Sequence, residues 1–281
     1  MVQPREALDA IGQLPDVEVD IAGAALQLAR IDAPGVDWQA AGRHLSDLAR
    51  EAVDLARDTP NGDVAARAGA LAGLIAGRHR YAGDRESYDD PANANLIQVI
   101  ARRRGLPVSL GVLWLHCARA AGWAAHGVDF PGHFLVALQA PKADRGAPQS
   151  IVLDVFAGGV PLDAGALRAL LKRVQGRQAE LRPGVLQPMS TRRVLLRLQE
   201  NIRGRRMAAD DLPGALACTE DMLLLAPDHA ALWREAALMH HQLDQVSAAL
   251  RCFARFLDLV PQGETATQTR AAMDALRTRL N

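Results

Sequence analysis

The last third of the chain repeats itself at a spacing of 34 residues. The segment GALACTEDMLLLAPD (214–228) superposes on AALRCFARFLDLVPQ (248–262). The alignment pairs Ala215 with Ala249, Cys218 with Cys252 and Pro227 with Pro261. Apolar residues recur at helical spacing within each copy, and the proline marks the point where each helix ends. Such a period indicates stacked helical hairpins that bury their apolar faces against one another.

A 34-residue period with an early alanine and a closing proline in the second helix is typical of tetratricopeptide repeats. We predict that the first helices of the two hairpins cover 191–209 and 230–242, and that a further helix covers 264–280. Arrays of this kind usually need about three repeats, so we expect this one to rest against the preceding domain. Helical arrays also present surfaces that bind peptides, which predicts a protein or peptide partner.

The rest of the chain is helical at first and changes period after residue 123. LPVSLGVLWLHCARAAGW (106–123) is apolar on nearly every face, as in a central buried helix. HGVDFPGHFLVALQA (126–140) and QSIVLDVFAGG (149–159) are predicted strands of a small antiparallel hairpin. LRPGVLQPMS (181–190) carries two prolines and a glycine, so it is the predicted linker.

These patterns predict an α+β fold. A mostly helical N-terminal domain with a small antiparallel sheet would be followed by all-α, tetratricopeptide-like helices. The predicted limits are 1–180 for the first domain, 181–190 for the linker and 191–281 for the repeats.

The charge balance and the cysteines indicate which partners and which cellular compartment to expect. The 32 basic and 32 acidic residues balance, so no net charge draws the whole molecule to nucleic acid or an anionic membrane. Three scattered cysteines without a CxxC motif indicate a reducing compartment. No signal-peptide pattern and no apolar run of about 18 residues is present. We therefore predict a cytoplasmic protein with no nucleic-acid or membrane partner.

Motifs for metals and cofactors are absent from the sequence. It contains no HExxH, no cysteine–histidine cluster, no P-loop and no GxGxxG. The adjacent histidines 240 and 241 point in different directions on a helix and do not share a metal easily. We therefore predict no metal and no cofactor.

Three polar residues stand near the predicted sheet. His133 follows a Pro-Gly pair, Asp154 ends the next strand, and Ser109 lies at the start of the buried helix. Adjacent antiparallel strands can bring two side chains within hydrogen-bond distance, and a hydroxyl at a helix start can complete an acyl-transfer triad. Each residue also has a structural alternative, as a packed histidine, a strand-ending aspartate and an N-cap serine.

Five motifs occur in the order found in a known family. They are Tyr-x-Asp-Pro-x-Asn (88–93), Arg-x-Gly-Leu-Pro-Val-Ser-Leu (103–110), Ala-Arg-x-x-Gly (118–122), Pro-Gly-His-Phe-Leu (131–135) and Leu-Asp-x-Phe (153–156). This series, with the helical tail, resembles the SirB1-type proteins, a bacterial branch of the transglutaminase-like superfamily. The likeness runs from about residue 20 to about residue 260.

The resemblance implies a papain-like core in which a cysteine starts a central helix and a histidine and an aspartate follow on adjacent strands. His133 and Asp154 match the last two positions. The helix start reads LPVSLG, without cysteine, so Ser109 is the nearest polar candidate for the nucleophile. Cys117 lies about 12 Å further along the same helix and is predicted to be a core thiol.

Two functions follow from these features. The missing cysteine and the repeats favour a binding or scaffold protein with a degenerate, non-catalytic site. The surviving histidine and aspartate favour an amide-directed hydrolase or acyl transferase with a Ser109–His133–Asp154 triad. A serine hydroxyl is far less acidic than a thiol, whose pKa is near ~8.5, so the second function needs a good base and an oxyanion hole together.

Overall fold

A computed structural model describes residues 2–60, 63–140, 150–182 and 184–278. The chain forms two compact units. The larger unit consists of residues 15–198, and the smaller one consists of residues 1–14 together with 199–281.

Helices provide most of the structure. In chain order they are α1 (Pro4–Gly12), α2 (Ile21–Asp32), α3 (Trp38–Asp58), α4 (Val64–Ala72), α5 (Leu96–Arg102), α6 (Pro107–Ala120), α7 (Ala164–Gln175), α8 (Thr191–Ala208), α9 (Leu212–Leu225), α10 (Ala230–Gln242), α11 (Val246–Leu259) and α12 (Glu264–Thr278). Asp37 and Asp63 cap α3 and α4 by accepting backbone N–H bonds, because a carboxylate satisfies the free amides of a first turn. The α+β fold predicted from the sequence is confirmed.

Two sheets belong to the larger unit. The strands are β1 (Ala82–Gly83), β2 (Arg104–Gly105), β3 (Ala125–Val128), β4 (Leu135–Gln139), β5 (Ser150–Asp154), β6 (Val160–Leu162) and β7 (Pro188–Met189). β1 and β2 form a short parallel pair. The other five strands form an antiparallel sheet in the order β6-β5-β4-β3-β7.

The predicted strand 126–140 is two strands, β3 and β4, joined by a turn. Pro131 has no N–H to give to a ladder, and Gly132 has a φ of +66°, so the chain reverses at this point. His133 therefore lies in the turn just before β4 rather than inside a strand. The turn predicted at 141–148 between these strands lies outside the described residues.

Helix α6 is the buried helix that the sequence predicts, with every residue from Pro107 to Leu115 buried. It approaches the sheet closely because two glycines leave room. A Cβ on Gly111 would overlap the ring of Phe134, and a Cβ on Gly159 would overlap the indole of Trp114. These contacts place the first turns of α6 beneath the ends of β4 and β5.

The opposite face of the antiparallel sheet is covered by α7. Leu167, Leu170 and Leu171 recur at i, i+3 and i+4 and pack on Val128, Leu135 and other buried residues of the sheet. The outer side of α7 is left exposed.

The smaller unit contains the repeats. Helices α9 and α11 begin at 212 and 246 and end at 225 and 259, so the 34-residue period of the sequence is reproduced in the helices. Helices α8, α10 and α12 lie where the sequence predicts the remaining helices of the array.

Helix α1 packs with the repeats, which the sequence did not indicate. Leu8 is fully buried, and the Arg5 Nε donates to Asp221 Oδ1 of α9 at 2.8 Å. Gly12 approaches the Leu224 carbonyl so closely that a Cβ would overlap it. The first residues of the chain thus extend the helical array.

The predicted linker 181–190 contains β7, which pairs with β3, and the two compact units meet in sequence inside α8, between Leu198 and Gln199. The limits 1–180, 181–190 and 191–281 stay a prediction about independently folding domains.

Candidate functional site

His133 and Asp154 form a hydrogen-bonded pair. The Nε2 of His133 lies 3.0 Å from Asp154 Oδ1, and 12% and 15% of the two side chains is exposed. The same oxygen accepts the backbone N–H groups of Phe156 and Ala157 at 3.1 and 3.2 Å. The sequence-predicted pair is therefore formed, at a place where the imidazole keeps some access to solvent.

Burial and hydrogen bonding oppose each other at Asp154. Burial by itself raises the pKa of this carboxyl, but the hydrogen bond and charge of His133, with the N–H groups of Ala157 and Phe156, bring the pKa below its usual value. Asp154 is therefore ionised at neutral pH and accepts the hydrogen bond from His133.

This pairing fixes the tautomer of the neutral imidazole. Because Nε2 donates to the carboxylate, the lone pair of the ring lies on Nδ1. His133 therefore presents Nδ1 as a hydrogen-bond acceptor and Asp154 holds the ring in place, which is the arrangement of a base and its orienting group.

Backbone geometry brings the pair together. The β4–β5 register pairs Val136 with Leu153, which places Asp154 diagonally across from His133 on the same face. The His133 N–H donates to the Phe130 carbonyl at 2.8 Å and closes the turn before β4. The Gly159 N–H donates to the Asp154 carbonyl at 2.8 Å and closes the turn after β5.

An aromatic wall flanks the pair. The Phe156 ring meets the His133 ring edge-to-face at 6.1 Å and the Tyr88 ring at 5.9 Å. The guanidinium of Arg85 lies 5.9 Å from the centre of the Phe156 ring. Gly83 allows this packing, since a Cβ there would overlap Phe156. The Tyr-x-Asp-Pro-x-Asn and Leu-Asp-x-Phe motifs contain these aromatic residues, but the sequence does not predict that their rings meet beside the histidine.

The loop that carries Tyr88 is held by a buried carboxylate. Hydrogen bonds from the Ser87 side chain and backbone, with others from Asn93 and Glu86, lower the pKa of Asp84 to about 2 despite burial. Arg102 also donates to Asp84 at 3.2 Å. The Nδ2 of Asn93 donates to the Ser87 carbonyl at 2.6 Å, so Asn93 pins this loop. The loop beside the histidine is therefore ordered before any ligand binds.

Ser109 is directed elsewhere. It is fully buried, and its single hydroxyl proton is shared between the carbonyl oxygens of Asn93 and Leu106, which lie 2.7 and 3.0 Å from Oγ. The hydroxyl proton is thus engaged by backbone acceptors and not by His133. The structure unites two of the three predicted residues, and the catalytic role of Ser109, His133 and Asp154 stays a prediction.

Cys117 is also fully buried, and burial raises the pKa of its thiol to about 12, with Glu51 adding to the rise. A thiol of this kind stays protonated, in keeping with the predicted core role.

Neither a metal-binding cluster nor a membrane-spanning helix is found among the described residues. The residues that the structure describes contain no group of three or more histidine, cysteine, aspartate or glutamate side chains placed to hold a metal ion. None of the helices among them combines the length and apolarity needed to cross a membrane.

Comparisons with protein families agree with this architecture. The family model described as the transglutaminase-like superfamily matches residues 39–200, and a tetratricopeptide-repeat model matches residues 202–274. These ranges contain the antiparallel sheet with its histidine–aspartate pair and most of the helical array.

Individual proteins show the same likeness. A UPF0162 protein of Xylella fastidiosa is 35% identical over 193 residues, which cover 68% of this chain and 66% of that protein, just under two thirds of its length. The UPF0162 protein of Pseudomonas aeruginosa is 32% identical over 246 residues, which cover 86% and 85% of the two chains. The human F-box only protein 21 is 35% identical over 77 residues, which cover 27% of this chain and 11% of that protein.

Proposed function

This chain belongs to the transglutaminase-like superfamily and carries tetratricopeptide repeats, and from that premise we propose that it is a binding or scaffold protein rather than an enzyme. The SirB1-type resemblance is consistent with this architecture. Its partner would be a protein or peptide bound through the helical repeats, and its compartment the bacterial cytoplasm.

The observation that carries the proposal is the hydrogen bonding of Ser109. A serine nucleophile must give its proton to a base in hydrogen-bond reach, but this hydroxyl bonds to two carbonyls and is fully buried. Rotation of the hydroxyl toward His133 would break its hydrogen bonding to these carbonyls. The surroundings of Oγ are also tightly packed, since a Cβ built on Gly105 would lie only 2.6 Å from it. The chain therefore keeps a base and its orienting carboxylate, while the Ser109 hydroxyl is used in backbone hydrogen bonds.

The repeats and the thiols support the other parts of the proposal. Tetratricopeptide arrays commonly bind protein segments, and the helices here keep the period of that family over residues 202–274. Cys117, Cys218 and Cys252 are buried and none of the three is in a disulfide, as suits a reducing compartment.

A second candidate function rests on the ordered His133–Asp154 pair. With Nδ1 of His133 as the base, a Ser109 rotated out of its corner would make an amide-directed hydrolase or acyl transferase. This alternative requires a conformational change at the start of α6 that frees the hydroxyl.

Covalent labelling separates the two functions. We expect that a fluorophosphonate probe, which reacts with activated serines, and iodoacetamide, which reacts with activated thiols, leave no adduct that depends on His133. Ser109→Ala and His133→Ala are the control variants. A Ser109 adduct that disappears in His133→Ala would establish the hydrolase instead.

Partner binding needs its own measurement. Leu238 of α10 and Val53 of α3 are apolar side chains of similar exposure, 38% and 39%. We expect Leu238→Arg to reduce co-purification of specific partners from cell extract, while Val53→Arg leaves them unchanged. Identical losses in both variants would argue against the repeats as the binding surface.

A further inference from the structure

A concentration of positive charge lies on the outer side of α7 and the segment that follows it. Between residues 164 and 182 the sequence has five basic residues and one acidic residue, Glu180, although the whole chain is neutral. The five basic residues, called here the basic surface, are Arg168, Lys172, Arg173, Arg177 and Arg182.

The basic surface is exposed and unpaired. All five side chains belong to exposed residues, and none forms an ion pair with any residue in the described part of the chain. Arg102 in the same unit, by contrast, forms ion pairs with Asp84 and Asp90. Five exposed cations that form no ion pairs among the described residues indicate complementarity to an anionic partner.

A cavity of about 370 Å³ adjoins the basic surface. Its lining includes Gln175, Gln178 and Arg182 as polar groups and Pro131, Leu171 and Val185 as apolar ones. Glutamine amides both donate and accept hydrogen bonds, so they suit the N–H and C=O groups of a peptide backbone. The cavity thus offers hydrogen-bonding groups for the backbone of a bound peptide, next to the basic surface.

The lining also distinguishes between anionic partners. Single-stranded nucleic acid is held by aromatic platforms as well as by charge, and no aromatic side chain lines this cavity. Two exposed apolar side chains, Val174 at 43% and Leu186 at 40%, offer contacts for apolar residues between acidic ones. These features favour a polypeptide.

We propose that the basic surface and its cavity bind an acidic segment of a partner protein. α7, with 12 residues, is about 18 Å long at ~1.5 Å per residue, which matches about five residues of extended peptide. The side chain of Val174 packs against Gly132, the residue before His133, since a Cβ on Gly132 would overlap it. A peptide bound along α7 would therefore reach the turn that carries His133. This surface lies within residues 15–198 and does not depend on the binding role proposed for the repeats.

The test is fluorescence anisotropy with the full chain and a labelled acidic peptide of about twelve residues, half of them glutamate. We expect saturable binding that weakens as salt rises, because exposed charges are screened within about 10 Å at 0.1 M salt. The variant R168E/K172E/R173E should weaken binding by about tenfold or more, and the alanine variant of the same residues by less.

A matched control uses another helix. Arg43, Arg50 and Arg57 are exposed residues spaced along α3, so R43E/R50E/R57E makes the same change of net charge elsewhere. We expect less than about a twofold change in peptide binding for this control. Unfolding midpoints of both variants show whether each remains folded.

Three results would overturn the proposal. They are equal weakening by the two triple variants, the absence of saturable binding at low salt, and tighter binding of a single-stranded oligonucleotide or of anionic vesicles than of the peptide through the same residues. The labelling outcome at His133 does not bear on this test, so the two proposals can fail separately.

Discussion

The two ends of the candidate site differ in how their hydrogen-bonding capacity is used. At one end the His133 Nε2 donates to Asp154, which leaves Nδ1 as an acceptor on a side chain that is 12% exposed. At the other end the Ser109 hydroxyl is buried and bonds to two backbone carbonyls. A residue is available for chemistry or binding when one of its polar atoms has no hydrogen-bond partner inside the folded protein. Of these two residues, only His133 meets this condition within the described part of the chain, through Nδ1.

The largest expected effect concerns α6, which carries Ser109 and packs against Phe134, the neighbour of His133. Gly→Ala in a helix normally stabilises by about 1 kcal/mol. Gly111→Ala should instead destabilise by about 1–3 kcal/mol, since its Cβ overlaps Phe134, the neighbour of His133. Gly69→Ala on α4 is the control, because nothing lies within 4 Å of its Cβ position. Urea unfolding measures both, and stabilisation by Gly111→Ala would show that the helix does not lie against the sheet as described.

A smaller effect is expected from Ser109→Ala. Removal of the hydroxyl should lower the free energy of unfolding by about 1 kcal/mol. The carbonyls of Asn93 and Leu106 lose the hydroxyl proton, but they still accept from the N–H groups of Leu106 and Leu110, respectively. The same assay should show a smaller loss of stability for His133→Gln, because the His133 side chain is partly exposed. If Ser109→Ala proved neutral, the serine would not be structural, and the contrast between the two ends would disappear.

The smallest effect is on the pH dependence of stability. The pKa of Asp154 is lowered in the folded state, so its contribution is present above the unfolded pKa of about 3.9 and is lost as pH falls through the lower folded value. Asp154→Asn should therefore flatten the decline of stability below about pH 4. Ser109→Ala should leave the slope of that decline unchanged, since a serine does not titrate. Parallel curves for Asp154→Asn and the unmodified chain would mean that the carboxylate has no lowered pKa.

The sequence predicted the features that depend on local or periodic patterns. The 34-residue period located α9 and α11. The sequence placed His133 and Asp154 at the ends of two neighbouring strands, and this was accurate enough to predict that they pair. The predicted first strand is nevertheless divided by a turn at Pro131 and Gly132.

Features that depend on distant contacts were not predictable. A serine in a helix's first turn has the same sequence pattern whether it faces a histidine or a carbonyl of another loop, and Asn93 lies 16 residues away from Ser109. Strand β7 has only two residues, too few for a pattern, and the pairing of Phe156 with Tyr88 requires the topology of the whole unit. The same holds for α1, whose nine residues carry no sign of their partner α9.

The position of α1 has a consequence for biosynthesis. The unit to which it belongs is discontinuous in sequence, with residues 1–14 and 199–281 separated by the entire larger unit. As the chain leaves the ribosome, the first helix is made early but finds Asp221 and its neighbours only after some two hundred further residues have been added, at about 5–20 residues per second. The contiguous unit of 15–198 can collapse during that delay of tens of seconds, while the amphipathic leading helix is exposed to chaperones and proteases until its late-made partner arrives.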